Sequence, residues 1–188
     1  VAFIVRPGAT QGYFYFTRST PANAARLTLR RDSTDTNKDT VTNYIVLDQW
    51  RHYAVTWEDG DGVRFYRNGA ETDSSALAAN TTPLTNSNGT YLGSDPVVLL
   101  TYFDGFMSDV RIYNVELTAA EIAQAANGFI VRPDALVGFW PLCGRQSPEV
   151  DLSGRGNTGT LTGTAEIARP PQTAGQCVPP RSLLGVGQ

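Results

Sequence analysis

The fold class follows from three adjoining segments, Trp50-Arg-His-Tyr-Ala-Val-Thr-Trp57, Glu58-Asp-Gly-Asp-Gly62 and Val63-Arg-Phe-Tyr-Arg-Asn-Gly69. The first and third are rich in aromatic and β-branched residues, which favour strands. The second is an acidic, glycine-rich turn whose residues accept positive φ. Asn-Gly at the end of the third segment is the strongest short signal for a hairpin. This region therefore predicts consecutive antiparallel strands joined by tight turns.

Similar signals fill the chain on both sides. Apolar runs predict further strands at 1–6, 13–17, 26–30, 41–47 and 103–113, an edge-like strand at 158–163 and a polar hairpin tip at 32–40. Thr118-Ala-Ala-Glu121 is a capping box that begins a short helix near 119–126, and Asn127-Gly128 ends it. The pattern predicts an all-β fold, a two-sheet antiparallel β-sandwich (jelly roll) with one short helix.

Length and charge limit the organisation and the partners. A chain of 188 residues can form one domain with a substantial core. We expect a sandwich over 1–168, completed or extended by 136–163, and an extended Pro- and Gly-rich C-terminal arm over 169–188. A net charge of −3 without a basic cluster argues against nucleic acid. No apolar run approaches the about 20 residues of a membrane-spanning helix.

Several motifs occur in one order along the chain: Trp50-x-His52-Tyr-Ala-Val-Thr56, Val63 to Gly69, Tyr91-Leu-Gly93, Phe103-Asp-Gly-Phe-Met-Ser-Asp-Val-Arg-Ile-Tyr113 and Leu117-Thr-Ala-Ala-Glu-Ile122. Their order resembles the laminin G-like jelly rolls of the concanavalin A-like lectin/glucanase superfamily over about residues 1–127. The resemblance implies a β-sandwich, and laminin G-like relatives often bind calcium at loop rims.

The closing part of the chain also resembles this family, in an unusual position. Leu136-Val-Gly-Phe-Trp-Pro-Leu142 and Asp151-Leu-Ser-Gly-x-Gly-Asn157 correspond to a segment that opens the domain in many members. Here the segment stands near the end of the sequence, and we expect the usual opening strand before Val1 to be missing. Two interpretations stay open: the segment takes the place of the opening strand, or it extends the sandwich towards a neighbour.

One pentapeptide occurs twice. Phe-Ile-Val-Arg-Pro stands at 3–7 and again at 129–133. Nothing else repeats around it, so coincidence explains it better than duplication.

Glycosidase chemistry needs two carboxylates about 5–5.5 Å apart for retention. The acids of Glu58-Asp-Gly-Asp61 lie in a predicted turn, and Glu149 and Asp151 lie in a loop beside a proline. Neither set matches the Glu-x-Asp-x-Glu strand of the family's glycosidases. His52, the only histidine, is mid-strand and is predicted to be a core residue. We therefore expect no catalytic residues and no enzyme activity.

Side-chain oxygens crowd the predicted tip at 32–40. Calcium takes six to eight oxygen ligands, and Asp32, Asp35, Asn37 and Asp39 are the candidates. The alternative is a solvated turn, which the spacing favours because it differs from an EF-hand loop. We expect no required cofactor, with Ca²⁺ as the candidate ion.

Two non-catalytic functions remain. An arm that cannot build its own core favours a surface structural or adhesion protein, a repeated subunit such as a virion decoration, tail or filament protein. Its partners would be copies of itself, other particle-surface proteins or glycans, at an extracellular or virion-surface location. The alternative is a secreted or cell-surface carbohydrate-binding module, for which the platform candidates are Tyr13, Tyr15, Tyr44, Tyr91 and Tyr102.

Cys143 and Cys177 are the only cysteines and could form one disulfide or remain free thiols. We predict that they are joined, which would favour folding by roughly 3–4 kcal/mol by loop closure. Mass spectrometry after alkylation without reductant tests the pairing. Two alkylated thiols would exclude the bridge.

Overall fold

The computed structural model describes residues 2–6, 13–19, 23–31, 34–80, 89–95, 101–142 and 148–162. Asp32, Cys143, Cys177 and the predicted arm at 169–188 lie outside the described residues. The elements are β1 Ala2–Arg6, β2 Tyr13–Ser19, β3 Ala24–Arg31, β4 Thr34–Asp39, β5 Tyr53–Glu58, β6 Gly62–Arg67, β7 Ala70–Ala76, β8 Tyr91–Leu92, β9 Ser94–Asp95, β10 Thr101–Tyr102, β11 Val110–Tyr113, α1 Ala119–Ala126 and β12 Leu136–Trp140.

The strands pair antiparallel throughout the described part of the chain. One sheet has five strands in the order β4-β3-β2-β1-β8, and another has three in the order β5-β6-β7. β9–β10 and β11–β12 form two-stranded sheets. The predicted all-β class with one short helix is confirmed.

The two larger sheets share one apolar core. β3 contributes Leu27 and Leu29, and β6 contributes Val63 and Phe65, all four almost fully inaccessible to solvent. Burial of each such side chain stabilises the fold by about 1.5–3 kcal/mol. Because strands of both sheets contribute buried side chains to this one cluster, the arrangement is a sandwich of two sheets.

Two local predictions are confirmed in detail. Asn68 and Gly69, with φ of 53° and 81°, form the turn between β6 and β7. A side chain at Gly69 would meet the backbone of α1, since an added Cβ would lie 3.0 Å from the Cα of Ala123. Helix α1 begins at the predicted capping box, in which Thr118 and Glu121 each bind the other's backbone N–H.

The chain divides into two compact units, each made of two separate stretches. The first contains 1–106 and 115–131, and the second contains 107–114 and 132–188. The predicted boundary between 168 and 169 lies outside the described residues and stays a prediction. In the described part no helix is long and apolar enough to cross a bilayer.

The predicted hairpin tip at 32–40 and strand at 41–47 are wrong. Thr34–Asp39 is itself a strand, paired with β3, and residues 40–52 are irregular. Cross-strand side-chain pairs stabilise β4 although its sequence is polar. Asn43 and Asp48 have positive φ values of 61° and 57°. This backbone conformation prevents a continuous strand after β4.

Two other predicted strands are shorter than expected. The predicted strand at 103–113 is limited to β11, because Asp109 has a φ of 55° just before it. In the predicted strand at 158–163, the described residues contain a single bridge, Glu149 with Gly159.

The family-like closing segment pairs within its own chain. Leu136–Trp140 forms β12, antiparallel to β11, with Val110 opposite Trp140. A loop lies along β12 and is organised by the buried Asp151. This carboxylate accepts hydrogen bonds from the backbone N–H of Phe139 and Asn157, and from both the N–H and the hydroxyl of Ser153.

Asp151→Asn is predicted to destabilise the protein by about 2 kcal/mol, because an amide NH₂ would face donors now bound by a carboxylate oxygen. Burial alone would raise the pKa of Asp151, but its hydrogen bonds outweigh burial and lower the pKa. The native carboxylate therefore stabilises the fold above the ordinary Asp pKa of about 3.9, and loses this effect as the pH falls through its lower native pKa.

Urea denaturation of both proteins between pH 7 and pH 2 measures this difference in free energy of unfolding. We expect the difference in free energy of unfolding between the native protein and Asp151→Asn to narrow as the pH falls. Asp134→Asn is the matched control: this carboxylate is exposed, pairs with Arg132, and is expected to change stability little. A gap that stays constant with pH would contradict the assignment to the Asp151 carboxylate.

Candidate functional site

Two aromatic side chains from separate loops meet at the surface of the first unit. Trp50 lies in the irregular segment 40–52, and Phe106 follows β10. Their ring centroids are 6.5 Å apart and their planes differ by 28°. Trp50 is 38% exposed and Phe106 is 48% exposed. Paired aromatic rings that remain half in solvent leave apolar surface uncovered, which makes them a candidate ligand platform.

Segment 40–52 has no strand or helix to hold Trp50, so buried anchors fix it instead. The Tyr44 hydroxyl donates to the backbone oxygen of Tyr66 at 2.6 Å. The N–H of Ile45 donates to the oxygen of Asn23 at 2.7 Å, next to β3. These two bonds attach the segment to both sheets of the sandwich. The loop that carries Trp50 is thus held on a rigid support, as binding loops commonly are.

Polar side chains flank the aromatic pair in sequence. Asp48, Gln49 and Arg51 surround Trp50 and are exposed, and Asp104 is exposed near Phe106. The guanidinium of Arg51 donates to the Gln49 side-chain oxygen. These groups offer both donors and acceptors beside an apolar surface, which is the composition that saccharides require.

The tyrosine candidates fall into three groups. Tyr44 is buried in the core, where burial raises the pKa of its hydroxyl, so it cannot contact a ligand. Tyr91 and Tyr102 are exposed. Nothing is described of the side chains of Tyr13 and Tyr15. Sequence reasoning missed Trp50 and Phe106 as partners, because no local pattern connects residues 56 positions apart.

An acidic cluster in the first unit was foreseen only in part, because the sequence singled out Glu58 and Asp61 but not Glu116. Glu58, Asp61 and Glu116 each have a carboxylate oxygen within 4.8 Å of the others. Arg64 lies among them, with 2.6 Å contacts to both Asp61 and Glu116. Thr56 donates a further hydrogen bond to Glu116 at 2.9 Å. The hydrogen bond that Arg64 donates to Asp61 and the charge of Glu116 raise the pKa of Arg64, so a fixed positive charge occupies the cluster.

This arrangement is unsuited to glycosidase chemistry. Retaining hydrolysis needs one carboxylate free to attack and another able to give up a proton. Here Asp61 and Glu116 are both bound to the same guanidinium. The groove next to Arg64 holds about 290 Å³, slightly below the range of ordinary ligand pockets. The cluster is an ion-paired support that links β6 to Glu116, two residues before the helix cap.

The other acidic pair that the sequence singled out is structural. Glu149 accepts a hydrogen bond from the N–H of Leu142 at 2.8 Å. Asp151 organises the loop beside β12, as described above. Both carboxylates are used within the second unit, so neither is placed to act on a substrate.

Three of the calcium candidates, Asp35, Asn37 and Asp39, occupy alternate positions of β4. Each lies opposite a partner on β3. Asp39 binds Arg26 through both carboxylate oxygens at 2.7 Å, and Asn37 accepts from Thr28 at 2.6 Å. The carboxylate of Asp35 lies 3.5 Å from Arg30. Side-chain oxygens that already bind cations and hydroxyls are less available to a metal ion. Since Asp32 lies outside the described residues, the complete set stays a prediction.

Comparison with known families identifies the class. A laminin G family model described as "Concanavalin A-like lectin/glucanases superfamily" matches residues 1–123. The chain therefore belongs to the concanavalin A-like lectin/glucanases superfamily, as its motifs predicted. Comparison with curated proteins gives no match.

Among solved structures, the chain is similar to an S-layer domain-containing protein from Clostridium thermocellum. The two are 21% identical, with a TM-score of 0.33. The alignment covers 66% of this chain and 61% of that structure, so this chain corresponds to less than two thirds of it.

Calcium is predicted not to change the melting temperature, because Arg26 and Arg30 already neutralise the candidate carboxylates of β4. Differential scanning fluorimetry with and without millimolar CaCl₂, after treatment with a chelator, measures this. The double variant Asp35→Asn/Asp39→Asn is the matched control. A saturable increase in the native protein that the double variant lacks would instead establish a calcium site.

Proposed function

We propose that this protein is a non-catalytic carbohydrate-binding domain that works outside the cell or on a particle surface. The observation that carries the proposal is the half-exposed stack of Trp50 on Phe106. The superfamily to which the chain belongs has lectins among its members, as its description states. The proposal assigns recognition to the aromatic pair.

The chemistry of the pair suits a neutral sugar ring. The C–H groups on one face of a pyranose form an apolar patch, and aromatic rings attract such patches through dispersion and their negative π face. The hydroxyl groups at the edge of the ring need hydrogen-bond partners. Asp48, Gln49, Arg51 and Asp104 supply acceptors and donors on the same two loops.

The non-catalytic part of the proposal rests on the carboxylates. The three that converge in the described residues are Glu58, Asp61 and Glu116, and two of them are neutralised by Arg64. They also lie on elements different from those that carry Trp50 and Phe106. A saccharide on the aromatic pair would therefore not depend on this converging set of carboxylates.

A structural role as a virion decoration, tail or filament subunit stays a separate prediction. Its main argument was the arm at 169–188, which lies outside the described residues. A surface location is compatible with both roles, because a glycan-binding domain can also belong to a larger surface assembly. The aromatic pair favours glycan recognition as the primary function.

Trp50→Ala and Phe106→Ala are each predicted to weaken saccharide binding about 10-fold, since loss of one aromatic contact costs about 1.4 kcal/mol. A glycan array selects the strongest-binding oligosaccharide, and isothermal titration calorimetry then measures the affinity of each variant. Leu152→Ala, which removes an exposed apolar side chain from the loop beside β12, is the control and should bind normally.

The same oligosaccharide also tests whether the protein is catalytic. Chromatography of the oligosaccharide after prolonged incubation should recover it intact. Unchanged affinity in both alanine variants, or an array without any bound glycan, would overturn the proposed site. Release of shorter sugars by the native protein would overturn the non-catalytic assignment.

A further inference from the structure

Most carboxylates in the described parts of the chain are bound by groups of their own chain. Asp39 and Asp61 pair with arginines, and Asp151 accepts backbone hydrogen bonds. Asp48 and Asp104 belong to the few that accept no hydrogen bond and form no ion pair within the described residues. Both are exposed. Their charges are therefore available to a ligand.

The same short pattern carries both rings of the aromatic pair. Asp48-Gln-Trp50 stands on one loop and Asp104-Gly-Phe106 on the other, so each ring follows a carboxylate by two residues. Two residues span at most about 7 Å of backbone, so each carboxylate is attached close to its ring. Charges at a protein surface act over about 8 Å at physiological ionic strength. Both carboxylates therefore act on a ligand that contacts the rings.

The backbone fixes both loops at these positions. Asp48 has a φ of 57°, a left-handed conformation that Asp tolerates. Gly105 has a φ of 155°, and a Cβ there would lie 3.0 Å from the ring of Phe103, so this position favours glycine. The N–H of Phe103 donates to the backbone oxygen of Gly93 at 2.8 Å. The second loop is thus anchored, as the loop that carries the tryptophan is.

Negative charge predominates on the two loops. They carry the carboxylates of Asp48 and Asp104 but one guanidinium, that of Arg51, with His52 neutral. The Arg51 guanidinium donates to the side-chain oxygen of Gln49. Aromatic faces also attract cations, and Trp does so most strongly. The carboxylates and the rings therefore both favour a ligand with a positive charge.

We propose that the aromatic pair binds amino sugars with a free ammonium group, the class to which glucosamine oligosaccharides belong. This inference rests on the proposed function and names the class of sugar. The pyranose ring of glucosamine presents the same C–H face as a neutral sugar and carries an ammonium group at its edge. The ammonium contacts an aromatic face or pairs with Asp48 or Asp104. N-acetylation removes this charge and weakens binding.

Isothermal titration calorimetry with two oligosaccharides of equal length tests the proposal. One is built of glucosamine and the other of N-acetylglucosamine, so the two differ only in acetylation. We expect the glucosamine oligosaccharide to bind about 10-fold more tightly, because an exposed ion pair and a cation–π contact together account for a factor of this size. The ratio of the two dissociation constants is the readout.

Asp48→Asn/Asp104→Asn is expected to lower this ratio to about 3-fold, since the cation–π contact remains. Asn keeps the size of Asp and tolerates the same left-handed conformation, so the loops keep their shape. Glu71→Gln/Asp134→Asn is the matched control. It removes the same charge from two exposed carboxylates outside the loops and is expected to leave the ratio unchanged.

The outcomes separate the amino-sugar assignment from the proposed function. Equal affinity for the two oligosaccharides, tighter binding of the acetylated one, or an equal loss of preference in both double variants would overturn the assignment and leave saccharide binding intact. A ratio that Asp48→Asn/Asp104→Asn does not lower would overturn it as well. If Trp50→Ala binds the glucosamine oligosaccharide as tightly as the native protein does, the aromatic pair is not the site, and the proposed function fails too.

Discussion

The hydrogen bond from the buried Tyr44 hydroxyl to the backbone oxygen of Tyr66 holds the irregular segment 40–52 in place. Segment 40–52 has no ladder of its own, so it depends on such anchors for its position. The ring of Tyr44 also packs against Phe65, with centroids 6.1 Å apart and the planes nearly perpendicular. A polar group inside an apolar core is costly unless its partner is fixed, and here the partner is the backbone of a central strand. The loop that carries Trp50 is therefore fixed in position by its attachment to β6.

Local signals in the sequence predicted local structure well. The capping box of Thr118 and Glu121 located the helix, and Asn68-Gly69 located the β6–β7 turn, because each signal acts within a few residues. The polar strand β4 was missed for the opposite reason. It pairs with β3 along its length, and bonds between Asp39 and Arg26 and between Asn37 and Thr28 support that pairing, which propensity does not report.

The candidate sites show the same limit more strongly. Composition provided five tyrosines as platform candidates, but only the fold shows that Tyr44 is buried while Tyr102 is exposed. The acidic turn at Glu58 was visible in the sequence. The convergence of Glu116 on the same arginine was not, because Arg64 and Glu116 are 52 residues apart. Distances of this kind depend on how the strands are ordered, which short motifs cannot specify.

The division of the chain into interleaved stretches has a practical consequence for shortening it. Strand β11 lies at 110–113, inside the part that matches the family, whereas its partner β12 lies at 136–140, beyond the match. A shortened chain cut at the end of the family match would keep β11 and lose the strand that pairs with it. The exposed N–H and C=O groups of β11 would then invite pairing with other chains and aggregation during expression. Proteolytic trimming or recombinant shortening should therefore retain the chain at least through the Asp151 loop.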